Sequence, residues 1–408
     1  MVMNFFFSIN FFSIVFLQIS LFFILISTAV SNAAIIIAIL LGLFSIFKEK
    51  NYLEIFYTNK MNLFISILTL LLILSYFYTS ASDQEYIEVV KKYIKFLYIP
   101  VCYFIFKDSL KNQDFYFSFI LGSSIILLLS YLKFFELIDP AKISEYFGLQ
   151  YNPKLEKGVV VFQHSIIHGI VFSFYSFLNF YRARLKSNYI YYILSFLGFF
   201  NVLFLNNSRT AYLIVIVMFC IIIFSFLKSK DYIKFFSFIA IVAILLSFFS
   251  DNVLSNRLNL VINDIKYINK NDFESSIGFR YLWLKHGLNV LNKKPVLGYG
   301  AGSFKSTMYE SLKKDNLLSK KDLLTQNPHN EFVSIIAQTG LIGFLLLLGF
   351  FYYFFKYLKE SDIGLAVFFL VFISCFFNSV FFDNVLGIFS IILISHAMSQ
   401  KELEIEFS

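Results

Sequence analysis

Charge is the first thing this sequence lacks. No Asp, Glu, Lys or Arg occurs from Met1 to Phe47. A run of that length exceeds one crossing of a ~30 Å hydrocarbon layer, which takes roughly 20 helical residues. Two helices broken near Ser31-Asn32 fit it. A cleaved signal peptide is the competing reading, but nothing basic precedes Phe5 and the apolar stretch far exceeds an h-region. Cysteine is scarce too. Cys102, Cys220 and Cys375 all fall within apolar runs, which leaves no disulfide framework and no CxxC-type metal site. Without a GxSxG motif, a P-loop or an HExxH pattern, the chain offers no support for a serine hydrolase, an ATP-driven pump or a zinc site of that type. Pro- or Ser-rich linkers and internal repeats are also missing.

What is present is apolar. Hydrophobic residues make up 58% of the chain, charged ones 15%, and Phe alone fills 57 of 408 positions; the mean hydropathy is +0.73. No soluble domain of this length hides so much apolar surface. After the first two runs, others follow at about 61–80, 93–106, 115–135, 159–181, 189–205, 211–227, 235–250, 332–355, 363–378 and 385–398. The sequence therefore predicts an all-α, polytopic transmembrane helical bundle of about twelve spans. The last two runs are short and separated only by Phe381-Phe382-Asp383-Asn384, so a re-entrant hairpin is the alternative there.

Orientation follows the cations near span ends. Lys48, Lys50 and Lys60, then Lys107 and Lys111, then Arg182, Arg184 and Lys186, then Lys228, Lys230 and Lys234, then Lys356 and Lys359 all share one side, which should be the cytoplasm. Lys91, Lys92 and Lys95 are the exception, on the outer side. This arrangement puts both termini inside, spans one to nine within 1–250, a long outer loop at about 251–331, and spans ten to twelve with a short cytoplasmic tail within 332–408. The loop's cations, among them Arg257, Lys293, Lys294 and Lys305, do not contradict it, because long loops translocate largely regardless of charge. The net charge of +8 thus has mainly a topological cause. Nucleic acid is not an expected partner, since no basic domain with stacking platforms stands outside the membrane.

The outer loop carries helical patterning. Ile277, Tyr281, Leu284, Leu288 and Leu291 form one apolar stripe, suited to lying on the membrane or roofing the bundle. Pro295 and the run Gly298-Tyr-Gly300-Ala-Gly302 end that helix in a turn. With Ser303 following and no strand before it, the run is not a dinucleotide fingerprint.

Three outer-face positions stand out: Arg209 in Asn206-Asn207-Ser208-Arg209-Thr210, Arg280 in Gly278-Phe279-Arg280-Tyr281, and His329 in Asn327-Pro328-His329-Asn330-Glu331. An Arg at the edge of an apolar span faces a cavity, pairs with an anion, or snorkels to the interface. Guanidinium is well suited to gripping phosphate bidentately. Imidazole is the usual general base near neutral pH, so His329 could take a proton from an attacking hydroxyl; a capping role is the alternative. His164 and His168, four apart on the sixth span, suit hydrogen bonds inside the bundle or contact with a substrate near the outer face. Asn330 is a further candidate for substrate contact, and Asp383 has no assigned role.

In order, Asn-Ser-Arg-Thr-Ala at 207–211, Arg280 with Trp283, Pro-Val-Leu-Gly-Tyr-Gly-Ala-Gly-Ser-Phe at 295–304, and Pro-His-Asn-Glu-Phe at 328–332 running into Gly340-Leu-Ile-Gly343 resemble the O-antigen ligase and Wzy-type polymerase superfamily, ligase branch first. The resemblance covers about Asn201 to Phe350. It implies a periplasmic loop between spans nine and ten of an inner-membrane protein. It also implies transfer of a glycan from an undecaprenyl-diphosphate carrier to a sugar hydroxyl, without nucleotide sugar, metal or other cofactor. The acceptor is lipid A-core for a ligase and another carrier-linked unit for a polymerase. By the same resemblance Arg209 and Arg280 hold the diphosphate, and His329 activates the acceptor. Membrane lipids are the remaining expected partner.

A flippase or secondary transporter is the competing class. It should bury ionisable or helix-breaking positions near the bilayer midplane. Here the spans are nearly free of charge and the polar features crowd one face, which favours surface enzymology.

Overall fold

The computed structural model describes residues 2–48, 54–57, 59–109, 114–146, 159–206, 208–229, 276–314 and 324–406, and among them every regular element is a helix. In chain order these are α1 (Val2–Phe23), α2 (Thr28–Phe47), α3 (Glu54–Tyr57), α4 (Lys60–Leu74), α5 (Asp83–Tyr93), α6 (Tyr98–Ser109), α7 (Phe117–Phe134), α8 (Pro140–Tyr146), α9 (Ser165–Lys186), α10 (Tyr189–Phe200), α11 (Arg209–Ser229), α12 (Ser276–Leu288), α13 (Val290–Lys293), α14 (Phe304–Lys314), α15 (Glu331–Leu358), α16 (Asp362–Phe377) and α17 (Asn384–Glu406). A π-helical turn, Asn201–Leu205, prolongs α10. Among the described residues α2, α4 with its continuation to Phe77, α7 and α15 are long and apolar enough to cross a membrane, and shorter apolar helices accompany them. The expected span at 235–250 and the loop segments 251–275 and 315–323 lie outside the described residues.

The first helical hairpin turns earlier than the sequence suggested. The break falls between Phe23 and Thr28, because Ser27 caps α2 by accepting the Val30 N–H. Ser31 and Asn32 sit inside α2 instead. Asn32 Nδ2 donates back to the Thr28 carbonyl at 2.7 Å, and Ser31 Oγ donates across the hairpin to the Ser20 carbonyl at 3.0 Å. Their polarity is absorbed by neighbouring helix backbone, so they need no loop.

Helices α9, α11 and α16 fix the two ends of the bundle. At one end Arg182 and Lys186 of α9 both pair with Asp114, and Arg184 donates to Ser225 of α11. Arg184, Ser225 and Asp362, the first residue of α16, border one small pocket there. At the other end lie His164, the start of α11 and the end of α16. At 1.5 Å per residue the 22 residues of α9 separate these ends by about 33 Å. Arg182 and Lys186 are thus joined to the start of the segment before α7 through Asp114, while Lys111 lies outside the described residues.

A second departure shapes the end that bears His164. The run at 332–355 reads as one continuous span, yet α15 is broken at Gly340, whose φ of 62° and ψ of −156° are not helical. The orphaned backbone groups on both sides of the break are paired with the segment after α13. Tyr299 and Gly300 donate N–H bonds to the carbonyls of Ala337 (3.1 Å) and Gln338 (2.8 Å), while Leu341 and Ile342 donate to Pro295 (2.8 Å) and Val296 (3.3 Å). A Cβ on Gly340 would stand 2.4 Å from the Val296 carbonyl oxygen. The glycine-rich run is thus a turn, as expected, and its work is to fill a break in a helix.

Helix α12 forms where the stripe predicted a helix, but packs by another face. Leu282, Trp283 and His286 are buried, the first two against Phe304, Met308, Val333 and Ala337. Tyr281, Leu284 and Leu288 of the stripe stay exposed.

Candidate active site

Arg209 opens α11 and is held there by a buried amide. Asn206 Nδ2 donates to the Ser165 carbonyl at 3.0 Å, and the Asn206 carbonyl accepts the Tyr212 hydroxyl at 2.7 Å. The π-helical turn before it, a feature often found at functional sites, brings Asn206 N–H onto the Asn201 carbonyl at 2.9 Å. Gly169 makes the approach possible, since a Cβ there would meet both Ala211 and Asn206 at 2.5 Å. The turn bearing Arg209 is therefore locked to the first turn of α9.

Arg280 projects from α12, whose buried face docks on α15. Burial first, and then the positive charge of Arg209, lower its pKa below the ordinary arginine value. Two guanidinium groups are thus close enough to act on each other. Such a pair lowers its energy by taking an anion between or beside its members.

His329 stands between α12 and α15 with a left-handed backbone, φ 50°. Asn327 Oδ1 accepts its N–H at 2.9 Å, an Asx turn that supports the conformation; Asn330, not His329, caps α15. Left-handed backbone at a non-glycine residue costs roughly 1–3 kcal/mol and persists where the surroundings over-determine it. Here the ring faces Trp283 with centroids 5.3 Å apart, and Nδ1 lies 3.2 Å from Asn378 Oδ1. Burial in first place, and the Arg280 charge, press the imidazole pKa below its ordinary 6.5, against the Asn378 bond and the Asp383 charge, which raise it. A lowered pKa leaves the ring neutral at pH 7, the state a general base requires.

Arg280 and His329 share one cleft of about 460 Å³, a size suited to sugar-sized ligands; Arg209 is exposed and is not among the residues that line it. Its wall includes His164, Arg280, Trp283, His329, Asn378 and Asp383. The other candidates separate. His164 lines the cleft as N-cap of α9, its Nδ1 accepting the Ile166 N–H at 3.2 Å. His168 is not among the lining residues. It is buried, with Nε2 2.9 Å from Asn201 Oδ1 and its ring against Phe172, whereas His164 is exposed. Asn330 is held at both ends of its amide: Oδ1 accepts the Val333 N–H and Nδ2 donates to the Phe376 carbonyl, each at 3.0 Å.

Sequence reasoning left Asp383 unassigned and passed over Asn378. The one hint was polar residues standing between two Phe-rich runs. Two of the three lysines that depart from the charge rule have local partners: Lys95 Nζ donates to the Asp383 carbonyl at 2.7 Å and Lys92 Nζ to Asn384 Oδ1 at 3.1 Å.

Comparison with known proteins adds two findings. A protein of Haemophilus influenzae described as uncharacterized is 25% identical over 96 residues, which is 23% of this chain and 24% of that protein. The alignment thus spans about a quarter of the relative's length and transfers no activity. Residues 193–348 match the family model described as O-antigen ligase, a stretch that contains Arg209, Arg280 and His329. The chain carries an O-antigen ligase family domain at residues 193–348, in agreement with the O-antigen ligase and Wzy-type superfamily that its motifs resemble.

Proposed function

We propose that this protein transfers a glycan from an undecaprenyl-diphosphate carrier to a sugar hydroxyl, at the periplasmic face of the bacterial inner membrane. The observation that carries the reading is the convergence of Arg280 and His329 on one cleft, with the Arg209 charge acting on Arg280. In the reaction the bond between the anomeric carbon and the diphosphate oxygen breaks, and a bond from the acceptor oxygen to that carbon forms. Negative charge grows on the departing diphosphate, so fixed guanidinium groups stabilise the transition state more than the ground state. The acceptor hydroxyl surrenders its proton to neutral His329 as it attacks. The leaving carrier diphosphate remains on the arginines. This chemistry needs no cofactor.

Lipid A-core is the acceptor we favour, the ligase reading; the description of the matched family supports it. A Wzy-type polymerase, joining one carrier-linked unit to another, uses the same chemistry. A deletion strain distinguishes them. A ligase deletion leaves lipid A-core without glycan while polymer accumulates on the carrier. A polymerase deletion leaves single repeat units on the core. A flippase deletion would instead leave donor unavailable at the outer face.

A further inference from the structure

The cleft contains a relation that the transfer chemistry above does not use. His329 does not stand alone: its Nδ1 meets Asn378 Oδ1, and Asn378 is itself 7% exposed. An amide oxygen only accepts, so in this pairing Nδ1 carries the hydrogen and Nε2 presents a lone pair. Asn378 ends α16, where its own N–H donates to the Ser374 carbonyl at 2.8 Å.

The turn that follows is gripped from two directions by a buried glutamate and a buried lysine. Glu331, the first residue of α15 and fully buried, accepts the Phe381 N–H through Oε2 at 2.8 Å. Lys95, 7% exposed between α5 and α6, donates to the Asp383 carbonyl at 2.7 Å. The turn also closes on itself, Asp383 N–H donating to the Ser379 carbonyl at 3.0 Å, and Asp383 Oδ1 accepts the Leu386 N–H at 2.8 Å to start α17. Burying a lysine and a glutamate is costly unless each is hydrogen-bonded. Each has a bond to the backbone of the same short turn, and that turn follows the residue bonded to the imidazole.

We propose that Asn378 is a positioning residue that holds His329 as its Nδ1–H tautomer, with Nε2 open to the cleft, and that Lys95 and Glu331 fix Asn378 there by clamping the turn 379–383. Its part in glycan transfer rests on the function proposed above; the tautomer does not. The charged groups facing the imidazole are Arg280 from α12 and Asp383 from the turn, with His164 across the cleft and Lys95 and Glu331 behind the turn.

The test is ¹⁵N NMR of the full-length protein in detergent with labelled histidine. Five histidines are present, and the spectrum of His329→Gln identifies the His329 signals. The wild type should show an Nδ1–H tautomer. Asn378→Asp, nearly isosteric, replaces the amide with a carboxylate and should raise the His329 pKa by about one unit or more. Lys95→Met keeps the stem, removes the donor, and should give mixed tautomers. Glu331→Gln, whose amide oxygen still accepts the Phe381 N–H, should keep the wild-type tautomer. An Nε2–H tautomer in the wild type, or unchanged titration in Asn378→Asp, overturns the assignment, and an unaltered spectrum in Lys95→Met overturns the clamp. In transfer assays Asn378→Leu should lower kcat by about tenfold or more with KM little changed. The expected spectra together with no transfer by the wild type would leave the positioning role standing and sink the proposed function instead.

Discussion

Arg280 shows the effect of placing one guanidinium near another: its protonated form is disfavoured by burial and by Arg209. An anionic ligand would reverse that situation, which supports the proposed diphosphate grip over two interfacial anchors. Lysine keeps the charge but lacks the planar fork. Arg209→Lys and Arg280→Lys should therefore each lose about tenfold or more in kcat/KM, on the order of 1.4 kcal/mol of transition-state stabilisation. Near-normal transfer at equal protein levels would reduce both residues to anchors. At His329 the sign of the pH dependence follows from the lowered pKa. The neutral ring is the active form, so kcat/KM should fall as pH drops through a value below 6.5. A limb centred above that value, measured in the free enzyme, would contradict the burial that sets it.

Helix α15 shows what an element-scale reading misses. Its composition is that of an ordinary apolar span, and nothing local announces that residues 331–339 form a separate helical piece. The break at Gly340 depends on a partner, the segment 295–300, whose carbonyls and amides satisfy the groups that the break exposes. Gly340→Ala should accordingly destabilise the fold by roughly 1–3 kcal/mol from the backbone conformation alone, and more from the clash with Val296. Thermal unfolding of the purified variant measures it; an unchanged midpoint would show that the break relaxes at little cost. Arg209, Arg280 and His329 were legible in the sequence because a charged or imidazole side chain beside an apolar run is conspicuous there. Asn378 was not, because a neutral amide at the end of a span looks like a cap, and the bond that matters joins it to a residue 49 positions away. The Ser31-Asn32 misreading has the same root: small polar side chains bond to helix backbone as readily as they end a helix.

At the scale of the molecule, α9, α11 and α16 run between a cationic end, around Arg182, Arg184 and Lys186, and the cleft end. The charge rule assigns the cationic end to the cytoplasm, which would place the cleft outside. A cysteine introduced at the exposed Lys313 should then react with membrane-impermeant reagents added to the periplasmic side, and both termini should report as cytoplasmic in reporter fusions. Labelling only from the cytoplasm would overturn that topology. The central claim is narrower, that His329 acts only as the acceptor attacks while the arginines hold the donor. It is tested most directly by transfer from purified lipid-linked donor to purified acceptor, normalised to folded enzyme, comparing wild type with His329→Ala. The variant should still bind the donor and should transfer roughly 10²–10⁴-fold more slowly. More than about a tenth of wild-type turnover would contradict a general base at this position.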